Sequence, residues 1–188
     1  TPDWVEAWDG QQILRYKIAI PVKEPFLCRA KTIKQAATLG MTEVSETANW
    51  VHFKNPSGTV ASSLRYLEVP FPDVTLLFKK DGVKMAVPKG LAEAALRAGM
   101  FTKECRDEDV LEITLGQNVC RIVGKGITCS YDSGPRKIVY DGPDVAFRIK
   151  PELLAKVSKE FSHCYVAGNR LVVDGGKWRY VVRLSVME

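Results

Sequence analysis

Between Asp144 and Leu184 the spacing of apolar positions changes from strand-like to helical and back. Val145, Phe147 and Ile149 alternate with Ala146 and Arg148, the two-residue period of a strand with one buried face. Pro151 stands where a first helical residue belongs, because its φ is already helical and it has no N–H to leave unpaired. Leu153, Leu154, Val157 and Phe161 then recur at helical spacing and form one apolar stripe. Cys164 to Ala167, Leu171 to Val173 and Trp178 to Leu184 read as strands, separated by Gly168-Asn169 and Gly175-Gly176 turns. The pattern predicts a strand, a helix and a three-strand meander.

The same succession occurs upstream. Val83 to Val87 reads as a strand and Lys89 to Ala98 as a helix, with Gly99 positioned to end it. Strands are expected at Leu111 to Leu115, Val119 to Val123, Ile127 to Tyr131 and Arg136 to Tyr140. Gly116-Gln117-Asn118, Gly124-Lys125-Gly126 and Asp132 to Pro135 supply the turns between them. Lys103 to Asp109 is charged and expected to be exposed. Earlier still, Asp9-Gly10 is a turn, Ile13 to Val22 a strand, and Phe26, Cys28 and Ala30 a short alternation. Lys31 to Leu39 is helical, with Ile33, Ala36 and Ala37 on its apolar side and Gly40 as a C-terminal cap. Strands follow at Glu43 to Ser45, Asn49 to Lys54 and Thr59 to Leu67.

Helices thus begin near Lys31, Lys89 and Pro151, about 60 residues apart, each after a short strand and before a meander. The stretch from Glu68 to Gly82 breaks this rhythm. It carries two prolines and several large apolar residues, so it reads as an ordered connector rather than a polar linker. The expected organisation is residues 1–72 as the second part of one domain, 73–82 as the connector and 83–188 as a complete domain. The fold class is α+β, with repeated strand–helix–meander units and helices on one face of curved antiparallel sheets. The polar helix faces then form a common lining that carries Lys31, Lys34, Lys89, Arg97, Lys156 and Lys159. A basic lining holds phosphates without reading bases.

Composition narrows the function classes. The 188 residues carry a net charge of +5, which permits a polyanionic partner without requiring one. No apolar run approaches the roughly 20 residues of a membrane helix. No signal segment is evident, and a start at Thr1 suggests numbering from within a longer protein. Five scattered cysteines without a C-x-x-C pair, and two histidines, argue against a zinc site and for reduced core thiols in a cytoplasmic protein. His163-Cys164 is the one adjacent His/Cys pair, but neighbours in a strand point to opposite faces and make a poor base and nucleophile. No phosphate loop or triad signature is present, so no cofactor, metal or catalytic residue is expected.

Three short motifs carry a family resemblance. Ala7-Trp8-Asp9-Gly10-Gln11-Gln12-Ile13 resembles an Ala-Thr-Asp-Gly-His-Arg-Leu turn, Phe71-Pro72-Asp73 an interdomain Phe-Pro-Asp, and Tyr180-Val181-Val182 a C-terminal Tyr-Val-Val. In this order they resemble the DNA sliding clamp, specifically the bacterial β subunit of DNA polymerase III. The resemblance covers nearly the whole chain and implies half of a middle domain followed by the last domain. Gln11-Gln12 departs from His-Arg, Arg183-Leu184-Ser185 from the family's Met-Pro-Met, and the basic charge from the family's usual acidity.

The resemblance implies a processivity factor, not an enzyme. It would encircle double-stranded DNA as a dimeric or trimeric homo-oligomeric ring in a bacterial or phage-infected cytoplasm. DNA polymerase and clamp loader would dock through short peptides in a hydrophobic groove. That groove is expected around Gly10, Gln11, Ile13, Pro72, Leu76, Leu77, Val181, Val182 and Leu184. The alternative is a clamp-like interaction scaffold that does not encircle DNA.

Overall fold

The computed structural model describes residues 3–66, 71–103 and 109–187. The predicted strand end at Leu67, the connector's start at 68–70 and most of the charged stretch 103–109 lie outside the described residues. Contacts divide the chain into two units. One comprises the residues up to Ala7 and Leu14–Val74, the other Trp8–Ile13 and Thr75 onward.

In the first unit, β1 (Trp4–Trp8) and β2 (Gln12–Lys17) pair as the arms of a hairpin. The sequence pattern did not announce β1. Its Trp4 ring is instead held by cations across the hairpin, with Arg15 Cζ 5.3 Å and Lys17 Nζ 5.9 Å from its centroid. The predicted strand to Val22 stops at Lys17, and the Phe26 to Ala30 alternation reduces to a single bridge between Leu27 and Tyr66. Helix α1 (Ala30–Thr38) ends at Gly40, whose φ of +64° is left-handed. Strands β3 (Glu43–Glu46), β4 (Trp50–Lys54) and β5 (Val60–Leu64) form an antiparallel sheet in that order. Of the apolar side predicted for α1, Ala36 is buried, while Ile33 and Ala37 are exposed. This unit has one helix among the described residues, and Ile33 remains 37% exposed.

The second unit contains two copies of the succession. The connector forms a 3-10 turn at Thr75–Phe78, which anchors Phe78 in the core. β6 (Val83–Ala86), α2 (Leu91–Thr102), β7 (Leu111–Gly116), β8 (Val119–Lys125), β9 (Ser130–Asp132) and β10 (Arg136–Lys137) make the first copy. β11 (Val145–Ile149), α3 (Pro151–Glu160), β12 (His163–Ala167), β13 (Arg170–Asp174) and β14 (Trp178–Arg183) make the second, followed by β15 (Ser185–Val186). The strands sort into two sheets. In one, β14, β13, β12 and β6 lie in that order; in the other, the order is β10-β8-β7-β11-β15, with β9 also on β8.

Register places apolar residues opposite one another. Ile113 faces Phe147 across β7 and β11, and Ile122 across β7 and β8. Leu111, Leu115, Ile122 and Phe147 are fully buried, each contributing ~1.5–3 kcal/mol against exposure. Gln117 and Asn118 both take positive φ, the two-residue turn that keeps the twist of a β7–β8 hairpin.

Two predicted stops are not stops. α2 runs through Gly99 to Thr102, because Gly99 lets α3 approach: a Cβ there would lie 2.6 Å from that of Pro151. β8 runs through Gly124 to Lys125, because a Cβ on Gly124 would lie 2.2 Å from the Ala98 carbonyl oxygen. Both glycines serve close packing of α2, on α3 and on the sheet. Gly99, near the C-terminal end of α2, thus lies beside Pro151, the first residue of α3, where the two helices pack together.

Candidate nucleic-acid interface

Lys31 and Lys34 are exposed on α1, Arg97 on α2, and Lys156 and Lys159 on α3. Lys89, read from the sequence as helical, lies in the turn before α2, whose N-cap is Gly90. Among the described residues none of these six cations has a carboxylate partner. In contrast, several cations on strands and loops are paired: Arg170 with Asp81 at 2.6 Å, Lys80 with Asp174 at 2.7 Å and Lys125 with Glu112 at 2.6 Å. The helix-borne charges are therefore free to meet an external anion.

The two units differ in purity. α1 carries no acidic residue between Ala30 and Thr38. On α2 and α3, exposed Glu93, Glu152 and Glu160 interleave with Arg97, Lys156 and Lys159, which dilutes the field. Lys156 is also partly engaged, its Nζ 5.3 Å from the Tyr180 ring centroid.

Tyr180 belongs to a polar chain that locks the Asp9-Gly10 turn onto β14. The Asp9 carboxylate accepts from the amides of Gln11 at 3.0 Å and Gln12 at 2.9 Å, and from Gln12 Nε2 at 2.7 Å. Partial burial pushes the Asp9 carboxyl upward, but these bonds and the Lys150 charge outweigh it and leave it below the usual range. Gln12 Oε1 accepts from the Tyr180 hydroxyl. Burial, with the Asp9 charge adding to it, pushes the Tyr180 phenol up to about 12. Arg183 N–H donates to the Gln11 carbonyl at 2.8 Å, adding the hairpin tip to β14.

This arrangement divides the predicted groove residues. Gly10 takes φ +89° with open space where a side chain would be, and exposed Gln11 follows it. Leu76 and Leu77, 62% and 39% exposed, belong to the 3-10 turn that packs beside β14. Ile13, Val181, Val182 and Leu184 are instead buried in their own unit. Val181 and Val182 are consecutive, so both faces of β14 are covered there. Pro72 is exposed and belongs to the first unit.

Other chemistry finds no support among the described residues. No group of metal-ligating side chains occurs, and no helix is long and apolar enough to cross a membrane. Burial pushes the Cys120 thiol up to about 11 and Cys164 up to about 12, which keeps both protonated and unreactive. A shallow depression beside α1, lined by Thr32, Gln35, Leu39 and Ser62, contains none of the predicted site residues.

Solved structures share this architecture. The DNA polymerase sliding clamp of Pseudomonas aeruginosa superposes with a TM-score of 0.77 at 14% identity, over 97% of this chain and 55% of that one. The chain has the sliding-clamp fold. The DNA polymerase III β subunit of Thermotoga maritima matches all of the chain with a TM-score of 0.76 at 19% identity, over 56% of its own length. The β subunit of Streptococcus pyogenes matches with a TM-score of 0.74 at 14% identity, over 54% of its length. The chain thus spans about half the length of the clamps it resembles. No family model and no curated protein matches the sequence.

Proposed function

We propose that this chain is part of a DNA sliding clamp, comprising the second half of one clamp domain and a complete one after it. The observation that carries the reading is a clamp fold whose helix-borne lysines and arginine have no carboxylate partner among the described residues. Weak, non-specific phosphate contacts from such a surface hold duplex DNA while allowing it to slide. Chains joined head to tail, as a dimer or trimer, would close a ring around the duplex in a bacterial or phage-infected cytoplasm. Polymerase and loader peptides would dock beside β14, where Gly10, Gln11, Leu76 and Leu77 remain open. Tethering raises the polymerase's effective concentration at the primer end and asks no catalysis of the clamp.

The test combines mass by light scattering with retention on DNA. A ring loaded by its loader stays on closed circles and is lost from the same DNA after linearisation. Equal retention on both forms, or a monomeric mass under loading conditions, defeats encirclement and favours the scaffold alternative.

A further inference from the structure

We infer that Arg183 selects the peptides that dock beside β14, by pairing with a carboxylate next to their apolar residues. The inference rests on the docking surface proposed above and adds to it the chemistry of the partner.

Strand alternation places Arg179, Val181 and Arg183 on one face of β14. Across the ladder to β13, Asp174 stands opposite Arg179, Val172 opposite Val181, and Arg170 opposite Arg183. Val172 and Val181 are buried, so this face is apolar in its middle and charged at both ends. The two ends are balanced differently. At one, the Asp174 carboxylate has Lys80 Nζ at 2.7 Å and Arg179 Nε at 3.8 Å. At the other, two arginines oppose each other, an arrangement that destabilises an antiparallel pair. Arg170 is neutralised there, since its Nη2 donates to both Asp81 carboxylate oxygens at 2.6 and 2.9 Å. Arg183 is exposed, and among the described residues no carboxylate pairs with it.

The backbone holds this cation in place. Arg183 N–H donates to the Gln11 carbonyl at 2.8 Å and Leu184 N–H to the Asn169 carbonyl at 2.7 Å, so the strand is fixed from both sides where the side chain leaves it. The Gly10-Gln11 turn therefore meets β14 at Arg183, and the 3-10 turn with exposed Leu76 and Leu77 packs beside the same strand. A peptide docked on the leucines approaches an unpaired guanidinium. A neutral peptide would cover that charge without satisfying it, which costs desolvation energy. A carboxylate matches the guanidinium fork with two parallel hydrogen bonds and offsets the Arg170–Arg183 repulsion. A lysine in the peptide would add a third cation and be rejected. The strand's other face points elsewhere: Tyr180, two residues out of phase with nothing on the Arg183 face, meets Lys156 of α3. Arg183 thus lies on the side of β14 away from the helix-borne charges, which favours a peptide over duplex DNA as its partner.

The experiment titrates fluorescein-labelled synthetic peptides into the whole protein and follows anisotropy. The peptides share one short sequence around two leucines, end in an amide so that no terminal carboxylate competes, and carry aspartate, asparagine or lysine on either side of the leucines. Wild type is expected to bind an aspartate peptide about fivefold more tightly than its asparagine counterpart, the upper end for an exposed ion pair. Added salt should shrink that preference. Arg183→Gln should lose it, and Arg183→Glu should prefer lysine instead, an exchange that a merely structural arginine would not produce. Lys177→Gln, which removes an exposed cation from the β13–β14 turn, should keep it. Thermal unfolding identifies a variant that fails to fold, in which case the wild-type preference and its salt dependence decide. Equal wild-type affinity for aspartate and asparagine peptides, while Leu76→Ala weakens both, overturns the selection and leaves the docking surface standing. A preference that survives in Arg183→Gln, or that Lys177→Gln also removes, overturns it too. Lower duplex affinity in Arg183→Gln with an unchanged peptide preference assigns the residue to DNA and overturns it. Failure of wild type to bind any of the peptides removes the docking surface and the inference together.

Discussion

Gly99 and Pro151 meet so closely that a Cβ added to Gly99 would lie 2.6 Å from the Cβ of Pro151 and 2.8 Å from its Cγ. Neither partner can yield easily, since the proline ring is rigid and begins α3. In a free helix, replacing glycine by alanine gains ~1 kcal/mol of propensity. Here the steric term wins, because the new methyl falls inside the closest approach that carbon atoms allow. Gly99→Ala is expected to destabilise by about 1–3 kcal/mol, as overpacking does, and Gly99→Val by more. Denaturant unfolding measures it; a stabilised Gly99→Ala would refute the α2–α3 packing.

Gly124 makes the equivalent contact on the other side of α2, where its absent Cβ leaves room for the Ala98 carbonyl at 2.2 Å. The obstacle is backbone, so relief requires α2 to lift from β8. Gly124→Ala is expected to cost as much as Gly99→Ala or more, and the two losses should not add, since both variants displace the same helix. Chemical denaturation of the two single variants and the double variant checks this. Strict additivity would show that the two contacts are independent.

These glycines mark where sequence reading stopped. Helix and strand periods, Pro151 at a first helical position and the Gln117-Asn118 turn were local signals, so the repeated succession was legible. Gly99 and Gly124 looked like stops because glycine's commonest local role is punctuation, whereas here a distant element dictates it. β1 escaped notice because Trp4 is paired with cations from across a hairpin. Lys31, Lys34, Arg97, Lys156 and Lys159 were legible as exposed because each stands opposite an apolar stripe. Val181, Val182 and Leu184 form a contiguous apolar run that does not say which of its faces is open; in the structure all three are buried.

The Tyr180 phenol is held neutral in the fold, displaced from 10.0 up to about 12. A folded-state pKa above the unfolded one contributes stability below the unfolded value and loses it as pH rises toward the folded one. Stability should therefore decline between pH 10 and about 12 through this group. Tyr180→Phe should flatten that part of the profile, while its lost bond to Gln12 lowers stability at neutral pH. Urea unfolding across the alkaline range measures both. A Tyr180→Phe profile parallel to wild type would show that the phenol titrates normally.

Among the described residues Lys31, Lys34, Lys156 and Lys159 carry no ion pair, so replacing all four by glutamine should leave the fold intact. Each lost phosphate contact removes about 0.9 from the slope of log affinity against log salt. Because α1 has no acidic residues, the Lys31/Lys34 pair should account for more of the loss than Lys156/Lys159. Duplex binding over a salt series resolves the two pairs. An unchanged slope in the fourfold variant removes these helices from the DNA interface.

Leu76 and Leu184 both border β14, yet they should fail in different ways when shortened. Leu184 is 2% exposed, so Leu184→Ala leaves a cavity and should cost ~2–5 kcal/mol of stability. Leu76 is 62% exposed, so Leu76→Ala should leave stability within about 0.5 kcal/mol of wild type, as surface changes usually do. If a partner peptide docks beside β14, Leu76→Ala nevertheless weakens it, because the apolar contact exists only in the complex. A short hydrophobic clamp-binding peptide, titrated by fluorescence anisotropy into folded Leu76→Ala and Leu77→Ala proteins, reports this directly. Loss of affinity at unchanged thermal stability places the docking surface on the 3-10 turn. Full affinity in both variants would exclude that turn as the docking surface.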